Sequence, residues 1–200
     1  LRRRSWVLAA ALIASACSST GSTHFAQVEE RNEAGFTITE EVRASASLRE
    51  DFATAIRLIE AKDYDNGIAL LVEVTTAAPL VTAAHIDLGI AYGQVEDLER
   101  AETSLERALE LNPRHPVAHN EMGILQRKAG RFEDARESYE NALETYPEFH
   151  FARRNLAVLC DVYLSDPECA LEHYEIYTQA APEDEAAAMW VADLRNRLGE

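Results

Sequence analysis

A period of 34 residues constrains this chain more than any other feature. Ala84–Pro113 can be laid over Ala118–Pro147. His85, Leu88, Gly89, Tyr92, Ala101, Leu105, Ala108 and Pro113 then fall on His119, Met122, Gly123, Gln126, Ala135, Tyr139, Ala142 and Pro147. Side-chain size is kept at nearly every step. The closing phrases also match, Leu-Glu-Arg-Ala-Leu-Glu-Leu-Asn-Pro against Tyr-Glu-Asn-Ala-Leu-Glu-Thr-Tyr-Pro. A unit of this length that ends on proline has room for two short helices. Such a pair buries little alone, so neighbouring units must stack to supply a core.

Small residues at fixed offsets with a closing proline resemble the tetratricopeptide repeat (TPR) family. The resemblance implies an all-α fold, a right-handed superhelical TPR solenoid of antiparallel helix pairs with a C-terminal capping helix. Projecting the period both ways predicts four repeats, 48–81, 82–115, 116–149 and 150–184. The first has helices near Leu48–Ala61 and Tyr64–Ala77. The fourth runs one residue late, and the extra residue is expected in a turn near Tyr163–Pro167, where an insertion disturbs no helix register. Residues 185–200 form the cap, with Ala187, Val191, Leu194 and Leu198 on one face and Trp190 at its edge. Gly89, Gly123 and Ala157 leave room for a close helix, with Ala101, Ala135 and Ala170 opposite. Pro113, Pro147 and Pro182 stop the second helices, lacking a donor and clashing with the preceding turn.

The first 16 residues read as a processing segment. Arg2–Arg4 are followed by apolar Trp6–Ala16, too short for the ~20 residues of a membrane-spanning helix. Ile13-Ala14-Ser15-Ala16-Cys17 resembles a bacterial lipobox, which implies lipidation of Cys17. Ser18 in the next position implies, by resemblance to enteric lipoproteins, the periplasmic face of the outer membrane. Residues 17–47 then read as the lipidated cysteine and a flexible tether, opening Ser-Ser-Thr-Gly-Ser-Thr and carrying no sustained period. Membrane contact is expected through that lipid alone.

The 200 residues carry a formal charge of −16. That excludes nucleic acid as a partner, because phosphate contacts need a dense Lys/Arg face. Gly-rich phosphate loops, Gly-x-Ser-x-Gly and His-Glu-x-x-His are all missing from the sequence, so no catalytic residue and no cofactor are assigned. His85 and His119 read as packing residues between helices. His115 and His119 stand four apart, but Pro116 between them and the lack of a converging Cys or carboxylate argue against a metal. Cys160 and Cys169 lie at one helix junction, either as a disulfide or as two buried thiols.

In TPR proteins the first helix of each repeat lines the concave face. Carried onto this chain, the binding residues expected there are Phe52, Ile56, Ile86, Ile90, Asn120, Ile124, Arg127, Lys128, Phe151, Arg154 and Val158. Asn120, Arg127, Lys128 and Arg154 would hold carboxylates while the aliphatic residues grip the rest of an envelope protein or extended peptide. The chain is similar to TPR lipoproteins of pilus-assembly (secretin pilotin) and TonB-associated systems. The implied function is a non-catalytic, lipid-anchored adaptor for a cell-envelope complex. The alternative is a regulatory module for a peptidoglycan synthase or hydrolase.

Overall fold

The computed structural model describes residues 9–13, 25–31 and 37–199. The chain divides into two compact units, Leu1–Pro113 and Arg114–Glu200. In both, the architecture is an all-α array of paired antiparallel helices. The first unit also holds three strands.

Those strands are β1 (Ala9–Ile13), β2 (Phe25–Arg31) and β3 (Thr37–Arg43), an antiparallel sheet in the order β1-β2-β3. Ala9 pairs with Arg31 and Phe25 with Arg43. β1 falls inside the apolar stretch read as a processing segment, and β2 and β3 inside the expected tether. Phe25, Ala26 and Val28 break off into Glu29-Glu30-Arg31, so the sequence shows no alternation long enough to announce a strand. Cys17 and Ser18 lie outside the described residues.

Four helices follow in the first unit: α1 (Ala46–Glu60), α2 (Tyr64–Ala77), α3 (Thr82–Gln94) and α4 (Leu98–Leu111). The second unit holds α5 (Pro116–Lys128), α6 (Phe132–Thr145), α7 (His150–Leu159), α8 (Pro167–Ala180) and α9 (Glu185–Leu198). Side chains supply several starts. Ser45, Asp97, Asp166 and Asp184 accept backbone N–H bonds at the heads of α1, α4, α8 and α9, and the His115 ring does so for α5. Each satisfies one donor the helix leaves open.

Each repeat uses two stops. Second helices end at Ala78, Asn112, Tyr146 and Ala181, each directly before a proline and each with φ between −137° and −131°. A residue before proline is pushed out of the helical region by the ring, so the stop is written into the sequence. The first helices end on a left-handed residue instead: Lys62, Glu96, Gly130 and Ser165. The first three are 34 residues apart and the last step is 35. The extra residue of the fourth repeat is therefore not in the loop, as the sequence suggests. It widens the end of α7 into a π-helical turn, Cys160–Leu164.

Packing inside each pair depends on the small positions. A Cβ on Gly89 would meet Leu105 Cγ at 2.7 Å, and one on Gly123 would meet Tyr139 Cε1 at 2.6 Å. Gly67 stands equally close to Ile59. Ala101, Ala135, Ala157 and Ala170 are fully buried, as are Leu71, Leu105, Tyr139, Leu156 and Leu159. Each such leucine stabilises by roughly 2 kcal/mol through burial. At the end of the second unit, α9 closes on α8 through Ala187 against Tyr177 and Ala181, with Trp190 packed beside them.

Candidate protein-binding face

Each first helix carries a β-branched residue at the repeat period: Ile56 and Ile90 in the first unit, Ile124 and Val158 in the second. All four are half-buried. One turn earlier the residues behave differently. Phe52 and Ile86 are buried and Asn120 is wholly enclosed. These three support the face from beneath rather than line it. The helical step of about 100° carries a position four residues away far enough round to separate support from surface.

In the second unit the enclosed amide joins two first helices. Asn155 Nδ2 donates to Asn120 Oδ1 at 2.9 Å, and Asn120 Nδ2 donates to Glu121 Oε1 at 2.9 Å. Burial pushes the Glu121 carboxyl up to about 7, against the pull of the Asn120 hydrogen bond and the Lys128 charge. Glu121 and Asn155 were absent from the expected site residues. Only their contact with a buried amide marks them, and single-sequence patterns do not carry contacts.

The expected cations are engaged. Arg127 Nε donates to the Tyr139 hydroxyl at 3.4 Å, and its guanidinium lies 5.8 Å from the centre of the Tyr163 ring. Burial pushes the Tyr139 hydroxyl up to about 12 despite that guanidinium. Arg154 Nε stands 3.8 Å from Asp184 Oδ2 and its guanidinium 5.7 Å from the Trp190 ring centre. The same Asp184 oxygen accepts from the Tyr177 hydroxyl at 2.9 Å. Trp190 in turn packs 5.2 Å from Tyr174. Lys128 is exposed at the end of α5. Phe151 is half-buried, 3.9 Å from the His150 ring and 6.3 Å from Phe149. Three of the four polar residues expected to act together are thus spread over separate tasks. Asn120 serves helix pairing, Arg154 the α7–α9 junction, and Arg127 a bed of tyrosines.

Cys160 and Cys169 form a disulfide, with Sγ atoms 2.03 Å apart and Cα atoms 5.9 Å apart. It ties the start of the π-helical turn to the first turn of α8. Asp166 sits between, its Oδ1 accepting from Cys169 N at 3.1 Å and its Oδ2 from Arg136 at 3.1 Å. The Cys169 N–H bond and the Arg136 guanidinium together hold this carboxyl below the usual range. The ligand-type atoms of Cys160, Asp166 and Cys169 lie within 4.8 Å of one another. With both sulfurs bonded, no thiolate is offered to a metal. The histidines have structural tasks. His115 caps α5, and His85 Nε2 lies 3.2 Å from Pro79 O, with burial lowering its pKa. Among the described residues no helix is long and apolar enough to cross a membrane.

The tetratricopeptide repeat family model matches residues 52–116, 86–148 and 120–162, more than half of the chain. No curated protein sequence matches. Solved structures resemble the fold at low identity. PilF of Pseudomonas aeruginosa aligns with a TM-score of 0.69 at 18% identity, over 76% of this chain and 68% of that one. MamA of Desulfovibrio magneticus gives 0.67 at 18%, over 78% and 87%. A thermophilic TPR protein of Thermus thermophilus gives 0.65 at 20%, over 74% and 80%.

Proposed function

The chain belongs to the tetratricopeptide repeat family, and from that premise we propose that it is a non-catalytic adaptor, anchored by lipid on Cys17, that binds an envelope protein or extended peptide. The observation that carries this reading is a half-buried aliphatic residue recurring at one place on the first helices, Ile56 and Ile90 within the first unit and Ile124 and Val158 within the second. One aliphatic residue per repeat, at a fixed place on the first helix, gives a partner repeated apolar grips. Asn120, Arg127 and Asn155 on the same helices are already hydrogen-bonded and so cost little to cover. Phe151 adds an aromatic anchor in the second unit. The adaptor serves assembly or stability of a complex such as a type IV pilus or a TonB-type system. The resemblance of Cys17 and its flank to a lipobox, with Ser18 next, supports a seat on the periplasmic face of the outer membrane, with the lipid as the membrane contact.

Site-specific photo-crosslinkers at Ile124 and Val158, in cells, test the face. The expected result is one defined adduct from both positions, lost when Phe151→Asp is added and absent from a probe at exposed Glu144. Equal adducts from Glu144 would sink the reading. The anchor has its own test. Cys17→Ala should move the protein out of the outer-membrane fraction, and unchanged fractionation would refute lipid attachment.

A further inference from the structure

β1 fills one edge of β2, its five residues Ala9–Ile13 facing Gln27–Arg31. β2 is thereby the middle strand, paired with β3 along its other edge from Phe25 to Arg31. Yet β1 lies wholly within residues 1–16, the part that a lipoprotein loses. Hydrolysis of the Ala16–Cys17 bond leaves the β2–β3 hairpin and takes away its third strand.

The N–H and C=O groups that β2 turned toward β1 are then without strand partners. An open edge of this kind is a template for another extended chain. A two-stranded hairpin is also marginal by itself in water, so a third strand adds to its stability. β3 ends at Arg43 and α1 starts at Ala46, so a strand taken up by β2 is tied to the first repeat through a link of two residues.

The pairing with β1 indicates what the edge accepts. Leu12 and Ile13 stand opposite Val28 and Gln27, and the small residues Ala9, Ala10 and Ala11 opposite Arg31, Glu30 and Glu29. Together β2 and β3 carry the carboxylates of Glu29, Glu30, Glu40 and Glu41 against the cations Arg31 and Arg43. A cation opposite Glu29 or Glu30 forms a favourable cross-strand pair, which alanine does not.

We infer that in the processed protein the β2 edge takes a strand from the partner in place of β1. That strand runs antiparallel to β2, basic opposite Glu29 and Glu30 and aliphatic opposite Val28 and Gln27. Main-chain bonds supply the affinity and the register supplies the choice of sequence. β1 holds the edge closed, so capture begins only once residues 1–16 are removed. The inference rests on the reading that the chain is cleaved ahead of Cys17, and gives the partner a contact separate from the first-helix face.

The test compares two forms of the chain in one detergent. One is the processed protein purified from membranes, the other the full-length chain kept unprocessed by Cys17→Ala. Each is titrated into fluorescein-labelled Thr-Lys-Lys-Leu-Ile-Val-Thr and followed by anisotropy. The processed form should bind about tenfold or more tightly than the unprocessed one. Leu12→Pro in the unprocessed chain, which breaks the β1 ladder, should recover most of that difference. Glu29→Lys with Glu30→Lys in the processed form should weaken binding about tenfold and favour the same peptide with glutamate for lysine. Thr-Lys-Lys-Leu-Pro-Val-Thr, which lacks a ladder donor, should bind either form poorly. Circular dichroism melts matching the parent establish that each loss is local. Equal binding by the two forms overturns the inference. So does equal binding of the proline peptide, unchanged affinity in the charge-reversed variant, or a processed protein that pairs with its own copies and leaves the peptide free. The mass of the processed protein separates these failures from failure of the anchor. A chain beginning at acylated Cys17 that ignores the peptide removes the strand and keeps the anchor. A chain that retains residues 1–16 removes both.

Discussion

Asn155 Nδ2 donates to Asn120 Oδ1 at 2.9 Å, a side-chain bond between α7 and α5 in which the acceptor residue is completely enclosed. An amide in such a place must keep its partners, because an enclosed polar atom left alone carries its full desolvation cost. Asn155→Leu leaves Asn120 Oδ1 without that donor and should lower stability by about 1–3 kcal/mol. Urea unfolding followed by circular dichroism measures it. Asn120→Leu with Asn155→Leu should lose less than the two single losses added together, since neither amide is then left facing an empty site.

Gly123 sets how closely α5 approaches α6. A Cβ there would stand 2.6 Å from Tyr139 Cε1 and 2.8 Å from Cδ1, and Tyr139 is fully buried with no room to withdraw. Gly123→Ala should therefore destabilise by about 1–3 kcal/mol, opposite to the usual gain from replacing a helical glycine. Adding Tyr139→Leu should recover part of the loss, and thermal melts of the three variants check the order.

These packing contacts explain what the sequence makes legible. Gly89, Gly123 and Ala157 recur because each repeat solves the same close approach, so paired helices can be read from the period alone. The half-buried aliphatic at one place in each first helix, Ile56, Ile90, Ile124 and Val158, recurs for the same reason. Its support, Phe52, Ile86 and Asn120, reads equally as face, because one helical turn separates the two and a small rotation decides exposure. Arg154 reads as an open cation, but its partner Asp184 lies beyond the whole of α8. Nothing local in the sequence joins them. The added residue before Pro167 reads the same whether it lengthens a loop or widens α7. Only the backbone bond from Asp166 N to Cys160 O, 2.9 Å, settles it as a wide turn.

The left-handed stops are uneven in cost. Gly130 takes φ +77° with nothing within 4 Å of where a Cβ would stand, while Glu96 takes φ +63° and Lys62 φ +64° with full side chains. A side chain in that region costs on the order of 1 kcal/mol, partly offset by the entropy glycine brings to the unfolded chain. Glu96→Gly should stabilise by about 0.5 kcal/mol, and Gly130→Ala should cost about 1 kcal/mol. Denaturant midpoints at constant slope would show both, and a gain for Gly130→Ala would contradict the account.

Glu121 gives the second unit a pH signature. Its carboxyl is raised from 4.5 to about 7, chiefly by burial. The folded state then holds a proton that the unfolded state has released between these values. Stability from this group is full below about pH 4.5 and is lost as pH rises through about 7. Glu121→Gln should flatten that decline and be the more stable protein at pH 8, by on the order of 1 kcal/mol after allowance for its partial exposure. Urea titrations at pH 5 and 8 decide it. A Glu121→Gln variant as sensitive to pH as the parent would place the dependence elsewhere.

The disulfide and the π-helical turn should be coupled. Cys160 is fully buried at the end of α7, Cys169 lies in the first turn of α8, and Asp166 between them bonds both the Cys169 N–H and Arg136. Reduction frees a wide turn that regular helix geometry does not favour, while Asp166 still caps α8. The loss should therefore be local before it is global. Closing so short a loop stabilises by about 2–3 kcal/mol in the chain-entropy account. Reduced protein, or Cys160→Ser with Cys169→Ser, should unfold at lower urea by that amount. Amide exchange should rise first across Asp161–Cys169, before it rises in α5 and α6. Uniform acceleration through α5 to α9 would mean the bond supports the whole unit rather than this turn.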